Sequence, residues 1–378
     1  MNSFEISRRK IQDYYDHKPG APIFQKEFGF FTLDKWISQG FLKPTSEVAD
    51  YPAYLAEIFG FDADSIYYID RLGGCEAALE PAFEEKVLED RGRYEVIQDN
   101  AGRHLLCFKG RRQGFMPEYV DHPVKDLKTW QDAIEWRMDA GTPSRREKDV
   151  QAASLAKQAQ RNGMFITHRL VGGFMYLRSL IGPEALLYKF YDEPQLIHTC
   201  MRKWLDLAEA VSAGLQESVS FDGLFFDEDI CYNHGPLISP DMISEFLIPY
   251  YQQLIQNIRR RQPEDKTLHI QIETDGFCEP VIDLYREIGT DEMSPFEVAS
   301  GCDLTRVSEK YPDLLISGGI DKRVLCESFD SIDRYLDNLL PELVKRGGFI
   351  PTCDHGVPEE VEFENYMHFR KRMLQYAE

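Results

Sequence analysis

The stretch Phe221–Asp229, FDGLFFDED, decides the fold. Four uncharged residues, Gly223-Leu224-Phe225-Phe226, run straight into Asp227, Glu228 and Asp229. A short apolar run bounded by polar residues reads as a buried strand of a parallel sheet. Side chains alternate along an extended chain, so Asp227 and Asp229 point one way and Glu228 the other. Two like charges that close repel, so the site should hold a cation, a metal or a shared proton. The competing reading makes these acids caps of a turn or partners of an arginine.

Outward from this stretch the same rhythm repeats. Strands are expected at Met164–Thr167, Leu224–Phe226, Leu268–Ile272, Glu292–Met293, Leu314–Ser317 and Phe349–Ile350, each followed by a helical pattern. Successive strand-then-helix units mean a parallel sheet with crossover helices. With one or two strands from the N-terminal half the count nears eight. The expected fold is therefore α/β, a (β/α)8 TIM-like barrel in one domain over 1–378. An open doubly wound sheet is the alternative. No GxGxxG follows a first strand and no P-loop is present, which weakens a nucleotide-binding reading.

The N-terminal third is less regular. Residues 3–17 look helical, with Phe4, Ile11, Tyr14 and Tyr15 at helical spacing, and Pro19-Gly20 stops the helix. Ala21-Pro22-Ile23-Phe24 begins an extended segment, and 25–63 reads as loop and short helix rich in aromatics. Residues 65–118 read as an antiparallel β-hairpin insert or lid. In it Ser65–Ile69 is strand-like, and Arg93–Gln98 and His104–Lys109 flank the turn Asp99-Asn100-Ala101-Gly102.

The chain has 43 Lys+Arg against 64 Asp+Glu, a net charge of −21. That argues against nucleic acid or an anionic membrane as the main partner. No apolar run approaches the roughly 20 residues needed to span a bilayer. The start, MNSFEISRRKIQDYYDHKPG, has no apolar signal core, so a cytoplasmic protein is expected. Eight cysteines carry no CxxC spacing and are expected to be free thiols.

In a barrel the active site lies at the C-terminal ends of the strands. Polar residues gather there: His168 and Arg169, then Asp227, Glu228 and Asp229, then Gln271, Glu273, Thr274 and Asp275. Ser294 and Glu297 follow, then Gly318, Gly319, Asp321 and Lys322, and last Cys353, Asp354 and His355. Arg169 suits a substrate carboxylate or Asp227 through a two-pronged fork. His168 reads equally as a buried core histidine. Gly319 lets a ligand approach the backbone, or simply makes a tight turn. Asp321 reads as a helix cap beside Lys322. Cys353 beside His355 is compatible with zinc.

With these stretches laid out, the chain resembles the uroporphyrinogen decarboxylase superfamily. The resemblance lies in FDGLFFDEDICYNHGPLISPDMISEFLIPYY (221–251), ETDGFCEPVIDLYREIGTDEMSPFEVASGCD (273–303), LISGGIDKRVL (315–325) and GGFIPTCDHGVPEEVEFENY (347–366). It implies a distorted (β/α)8 barrel and one of two activities. Decarboxylases of the family hold a tetrapyrrole with an N-terminal arginine loop, but PIFQKEFGFF stands near that place without such arginines. Methyltransferases of the family use zinc to pass a methyl group between a small substrate, a corrinoid protein and a thiol. Aligned on Glu279-Pro280, their metal positions fall on Glu273 and Asp275, with the later cysteine near Cys353. The resemblance thus implies a zinc set of Glu273, Asp275 and Cys353.

Asp229 or Glu297 would donate the proton, and His355 stands where the decarboxylases carry a histidine. His168, Arg169, Asp227, Glu228, Gly319, Asp321, Lys322 and Asp354 would surround the substrate. A zinc-dependent methyltransferase acting with a corrinoid partner protein is the first expectation, with a homodimer as a candidate assembly. The substrate would be small, an O-methyl aromatic being one candidate. A cofactor-free decarboxylase and a non-catalytic binding protein on the same fold are the alternatives.

Overall fold

A computed structural model describes residues 3–20, 22–110 and 117–376. Ala21 of the expected extended start and residues 111–116 of the expected insert lie outside the described residues.

The first third holds α1 (Ser3–Tyr15), α2 (Thr32–Ser38), α3 (Tyr51–Phe59) and strands β1 (Ile66–Leu72), β2 (Lys86–Arg91), β3 (Tyr94–Gln98), β4 (His104–Phe108) and β5 (Glu118–Asp121). Helices α4 (Leu127–Ala133) and α5 (Pro143–Arg161) lead to β6 (Phe165–Val171), α6 (Gly173–Ile181), α7 (Pro183–Asp192) and α8 (Pro194–Gln216). Then come β7 (Gly223–Asp227), the short β8 (Cys231–Tyr232) and β9 (Gly235–Pro236), α9 (Pro240–Phe246) and α10 (Ile248–Arg260). The last part runs β10 (His269–Glu273), α11 (Ile282–Arg286), β11 (Glu292–Ser294), α12 (Leu304–Lys310), β12 (Leu315–Ser317), α13 (Phe329–Arg346), β13 (Phe349–Ile350) and α14 (Phe363–Gln375).

Seven of these strands form one parallel sheet in the order β1-β6-β7-β10-β11-β12-β13. Each strand lies beside its predecessor in the chain, so the sheet winds in one direction only. A doubly wound sheet would reverse its order part-way. The observed winding is that of a TIM-like barrel. β7 shows how the sequence builds it. Leu224 and Phe226 face outward and are buried, Phe226 packing 5.2 Å from Tyr251 on α10 and 6.5 Å from Trp204 on α8. Phe225 faces inward, 6.1 Å edge-on from Tyr68 of β1.

Between the edges β1 and β13 runs the extended segment 22–29. Phe24 exchanges hydrogen bonds with Asp62, through its N–H to Oδ2 and its carbonyl to the Asp62 N–H, both 2.9 Å. On the other side Phe28 bridges Val357 in parallel fashion, and the Gly29 N–H donates to the Val357 carbonyl at 2.8 Å. Gln25 lines a cavity of about 30 Å3 together with Ile66 and Tyr68 of β1, Gln271 of β10, Glu292 of β11 and Ile350 of β13. Both sheet edges and the segment thus enclose one interior.

Helix α1 covers the end where the strands begin. Ile11 and Tyr14 pack with Ile23, Leu315 and Ile350, and Tyr15 stacks on His269 at 3.7 Å. The opposite end, at the strand C-termini, is left for the chemistry.

β2 to β5 form a separate antiparallel sheet. Its hairpin turn is held by Asp99, whose Oδ1 accepts from Ala101 and Arg103 N–H groups. One expectation is corrected. The strand at Ser65–Ile69 is the first strand of the parallel sheet, pairing Ile66 with Phe165, and the antiparallel strands begin only at Lys86. Alternation in the sequence does not say which sheet a strand joins.

Candidate active site

On β6 the two-residue period sends Thr167 and Arg169 inward and His168 outward. The Arg169 fork meets Asp227 across the β6–β7 pair, Nε to Oδ2 at 2.7 Å and an Nη to Oδ1 at 2.5 Å. Burial lifts the Asp227 carboxyl above its usual range while the fork pulls it back. Gly74, after β1, lies over this pair: a Cβ there would come within 3.7 Å of both side chains.

His168 is not part of the site. It is wholly buried, its Nδ1 faces the Ile69 carbonyl at 3.2 Å, and its ring lies 5.1 Å from Phe221. Desolvation pushes its pKa down to about 4, so it is a neutral core histidine. Arg169, pointing inward, already implied this, because adjacent strand residues face opposite ways.

The alternation expected at 227–229 holds for Asp227 against Glu228, while Asp229 lies past the end of the strand, where the chain is no longer extended. Glu228 turns outward and is buried at the start of α6. Its Oε1 accepts from the Phe174 N–H at 3.2 Å and its Oε2 from the Tyr251 hydroxyl at 2.5 Å. Burial pushes its pKa up to about 7, with these donors holding it back. A carboxyl at a helix N-terminus anchors the loop between β6 and α6, so Glu228 is structural and does not meet a substrate. Asp229 turns back toward the mouth with φ 41° and pairs with Arg178 of α6. Arg178 was missed from the sequence. Its signal was being the one charged residue in the apolar run GFMYLRSLI.

Glu273 ends β10 at the centre of the mouth. Its backbone carbonyl accepts from the N–H groups of Glu228 and Asp229 at 2.9 and 3.2 Å. Its carboxyl is held well above the ordinary range, first by burial, then by the charges of Asp275, Asp229 and Asp227, against Arg169. Burial and the neighbouring negative charges thus both favour the neutral form of this carboxyl. Beside it Asp275 Oδ2 lies 3.6 Å from Nε2 of the half-exposed His355, and the pairing raises the histidine's pKa.

Glu297, in the turn after β11, accepts from the Gly276 N–H at 3.1 Å and the Ser300 hydroxyl at 2.8 Å. Lys322 lies between Glu297 and the fully buried Asp354, at 3.9 and 3.8 Å. Asp354 accepts the N–H groups of Val298 and Lys322 and so pins the turns after β11 and β12 together. Asp321 caps the short helical turn 322–326 and takes the Arg323 fork. Gly319 has φ 79° and packs against Leu304, so both serve the turn.

The expected zinc set is not assembled. Cys353 is buried beside Glu27, whose Oε2 accepts the Cys353 N–H at 2.6 Å. Desolvation, Glu27 and Asp354 push its thiol well above the ordinary value. Among the described residues no three His, Cys, Asp or Glu side chains are placed to hold a metal ion. The donor set Glu273, Asp275 and Cys353 therefore does not fit zinc.

What converges is an acid-rich mouth of Asp227, Asp229, Glu273, Asp275 and Glu297 in which Arg169, Arg178 and Lys322 already have carboxylate partners. Among the described residues no helix is long and apolar enough to cross a membrane.

Comparison with known proteins agrees with this architecture. The chain is similar to a methyltransferase from Methanosarcina mazei, with a TM-score of 0.56 and 13% identity over 98% of this chain and 99% of that one. At that identity the likeness speaks for the fold alone. A curated relative, the uroporphyrinogen decarboxylase of Hydrogenobaculum sp. (strain Y04AAS1), is 21% identical over 125 residues, 33% of this chain and 34% of the relative. The chain thus spans about a third of that relative's length in the match. The family model for uroporphyrinogen decarboxylase (URO-D) matches residues 119–376, well over half the chain. With that match and a singly wound parallel sheet carrying its acids at one end, the chain belongs to the uroporphyrinogen decarboxylase family.

Proposed function

We propose that the chain is an enzyme that moves a methyl group from a small substrate to a nucleophilic acceptor, with Glu273 as general acid. The observation that carries the reading is the Glu273 carboxyl at the end of β10 among Asp227, Asp229 and Asp275, a setting in which burial and like charges favour its neutral form. A methyl–heteroatom bond breaks slowly when the heteroatom must leave as an anion. A positioned acid supplies the proton as the bond breaks, an effect worth about 10²–10⁴ in rate. The methyl carbon passes to the acceptor, the heteroatom leaves protonated, and Glu273 is left ionised beside Asp227, Asp229 and Asp275. Their repulsion then favours its reprotonation from solvent.

Three further features support the reading. The M. mazei protein that shares the fold is named a methyltransferase. Arg169, Arg178 and Lys322 are committed to Asp227, Asp229 and the Glu297–Asp354 pair, which suits a neutral or cationic substrate better than a polycarboxylate. Phe225 and Tyr68, packed edge-on at 6.1 Å on the inner wall, with the Arg169 guanidinium 5.4 Å over the Phe225 ring, give that wall an aromatic character that suits an O-methyl aromatic. By family resemblance the acceptor is a corrinoid carried by a partner protein. Zinc enters no step.

The test is methyl transfer from a panel of carbon-13 O-methyl and N-methyl compounds to reduced cobalamin. Glu273→Gln should retain substrate binding and lose at least about a hundredfold in turnover. Wild-type turnover in that variant, or release of CO2 from uroporphyrinogen by the native enzyme, would overturn the reading.

A further inference from the structure

Two of the eight cysteines, 24 residues apart in the chain, are brought into contact by the fold. The Sγ atoms of Cys278 and Cys302 lie 3.8 Å apart. Cys278 stands in the turn after β10, just before Glu279, and Cys302 in the turn after β11, just before Asp303. Both are buried, but Cys302 keeps 4% of its surface open and Cys278 none.

The turns that carry them are already tied together. The Cys302 thiol donates to the Gly276 carbonyl at 3.4 Å, and the Gly276 N–H donates to Glu297 at 3.1 Å. On the far side Glu279 accepts the Arg306 fork at 2.7 and 2.6 Å and the Asp303 N–H at 2.8 Å. The sulfurs are therefore held as neighbours. Closing 3.8 Å to a bond of about 2.05 Å asks for a shift of side chains rather than a separation or docking of loops.

We propose that Cys278 and Cys302 form an oxidisable dithiol, a modification site that a hydroperoxide converts to a disulfide across the two turns bearing Asp275 and Glu297. Cys302 meets the oxidant first, being the more open. Donation from the Cys278 thiol also holds its pKa below the ordinary value. The Cys302 thiolate attacks a peroxide oxygen and the O–O bond breaks. This leaves a sulfenic acid, and the departing hydroxide takes up the proton that Cys302 gave up. The Cys278 sulfur then attacks the Cys302 sulfur, the S–O bond breaks, and the hydroxyl leaves with the Cys278 proton as a second water. Two thiols lose two electrons and two protons, and one hydrogen peroxide becomes two waters.

The test needs no substrate. In the full chain the exposed Cys75 and Cys326 are replaced by serine, leaving six of the eight thiols. The protein is treated with hydrogen peroxide, denatured, alkylated, digested and weighed. The expected result is a linked peptide pair joining Cys278 to Cys302, two hydrogens lighter than the dithiol. The thiol count falls by two and dithiothreitol restores it. Cys278→Ser in the same background should stop Cys302 at a sulfenic acid that dimedone captures. Loss of thiols at other cysteines without the 278–302 link would overturn the proposal. So would a pair that stays reduced under exposure that oxidises Cys75 and Cys326 in the native chain.

Discussion

At the scale of single residues, the protein stores protons in its interior. Glu292, on the inner wall of the barrel beside Tyr14, has its pKa pushed up to about 8 by burial from an ordinary 4.5. The folded state therefore binds this proton more tightly than the unfolded chain does. The stability it contributes is complete below pH 4.5 and drains away as pH rises toward 8. Glu292→Gln removes that slope. Urea unfolding between pH 5.5 and 7 should show the variant gaining on the native chain by about 1.4 kcal/mol per pH unit. Parallel curves would contradict the assignment. Residue roles were legible where a strand's two-residue period bears on them: Asp227 against Glu228 could be separated from the sequence. They were not legible where the partner is far away in the chain. Cys353 adjoins His355, yet its surroundings are set by Glu27, 326 residues earlier.

Among the elements, the turns after the strands are the tightest parts of the mouth. Gly318 has φ 103°, and a Cβ there would meet the Pro295 carbonyl oxygen at 2.2 Å. Backbone cannot retreat as a side chain tip can. Gly318→Ala is expected to cost about 2–4 kcal/mol, from strain plus overlap. Gly214, inside α8, has nothing near the place a Cβ would take. Gly214→Ala should add about 0.5–1 kcal/mol. Thermal or urea unfolding of the pair separates a glycine that a turn requires from one that a helix tolerates. The strand–helix alternation from 164 onward was readable because each strand is a short apolar run between turns. The membership of 66–72 was not, because its pairing with β6 joins residues about a hundred apart.

For the whole molecule, closure depends on one extended segment. Glu27 gives one carboxyl oxygen to the Cys353 N–H and the other to the Tyr366 hydroxyl, at 2.6 and 2.9 Å. Glu27→Ala leaves both donors buried without an acceptor. It should lower stability by about 2–6 kcal/mol, counting roughly 1–3 per stranded group. Denaturant unfolding is the measurement, and a loss under 1 kcal/mol would show that the segment is dispensable. The sequence marked 22–24 as extended but held no sign of its partners near residue 357. The same arrangement fixes the timing of birth. A ribosome makes Glu27 326 residues before Cys353, so the strap waits through the synthesis of every strand of the parallel sheet for the partner it must fasten. Until then the nascent barrel has an unfastened side, with strand edge and apolar surface open to solvent.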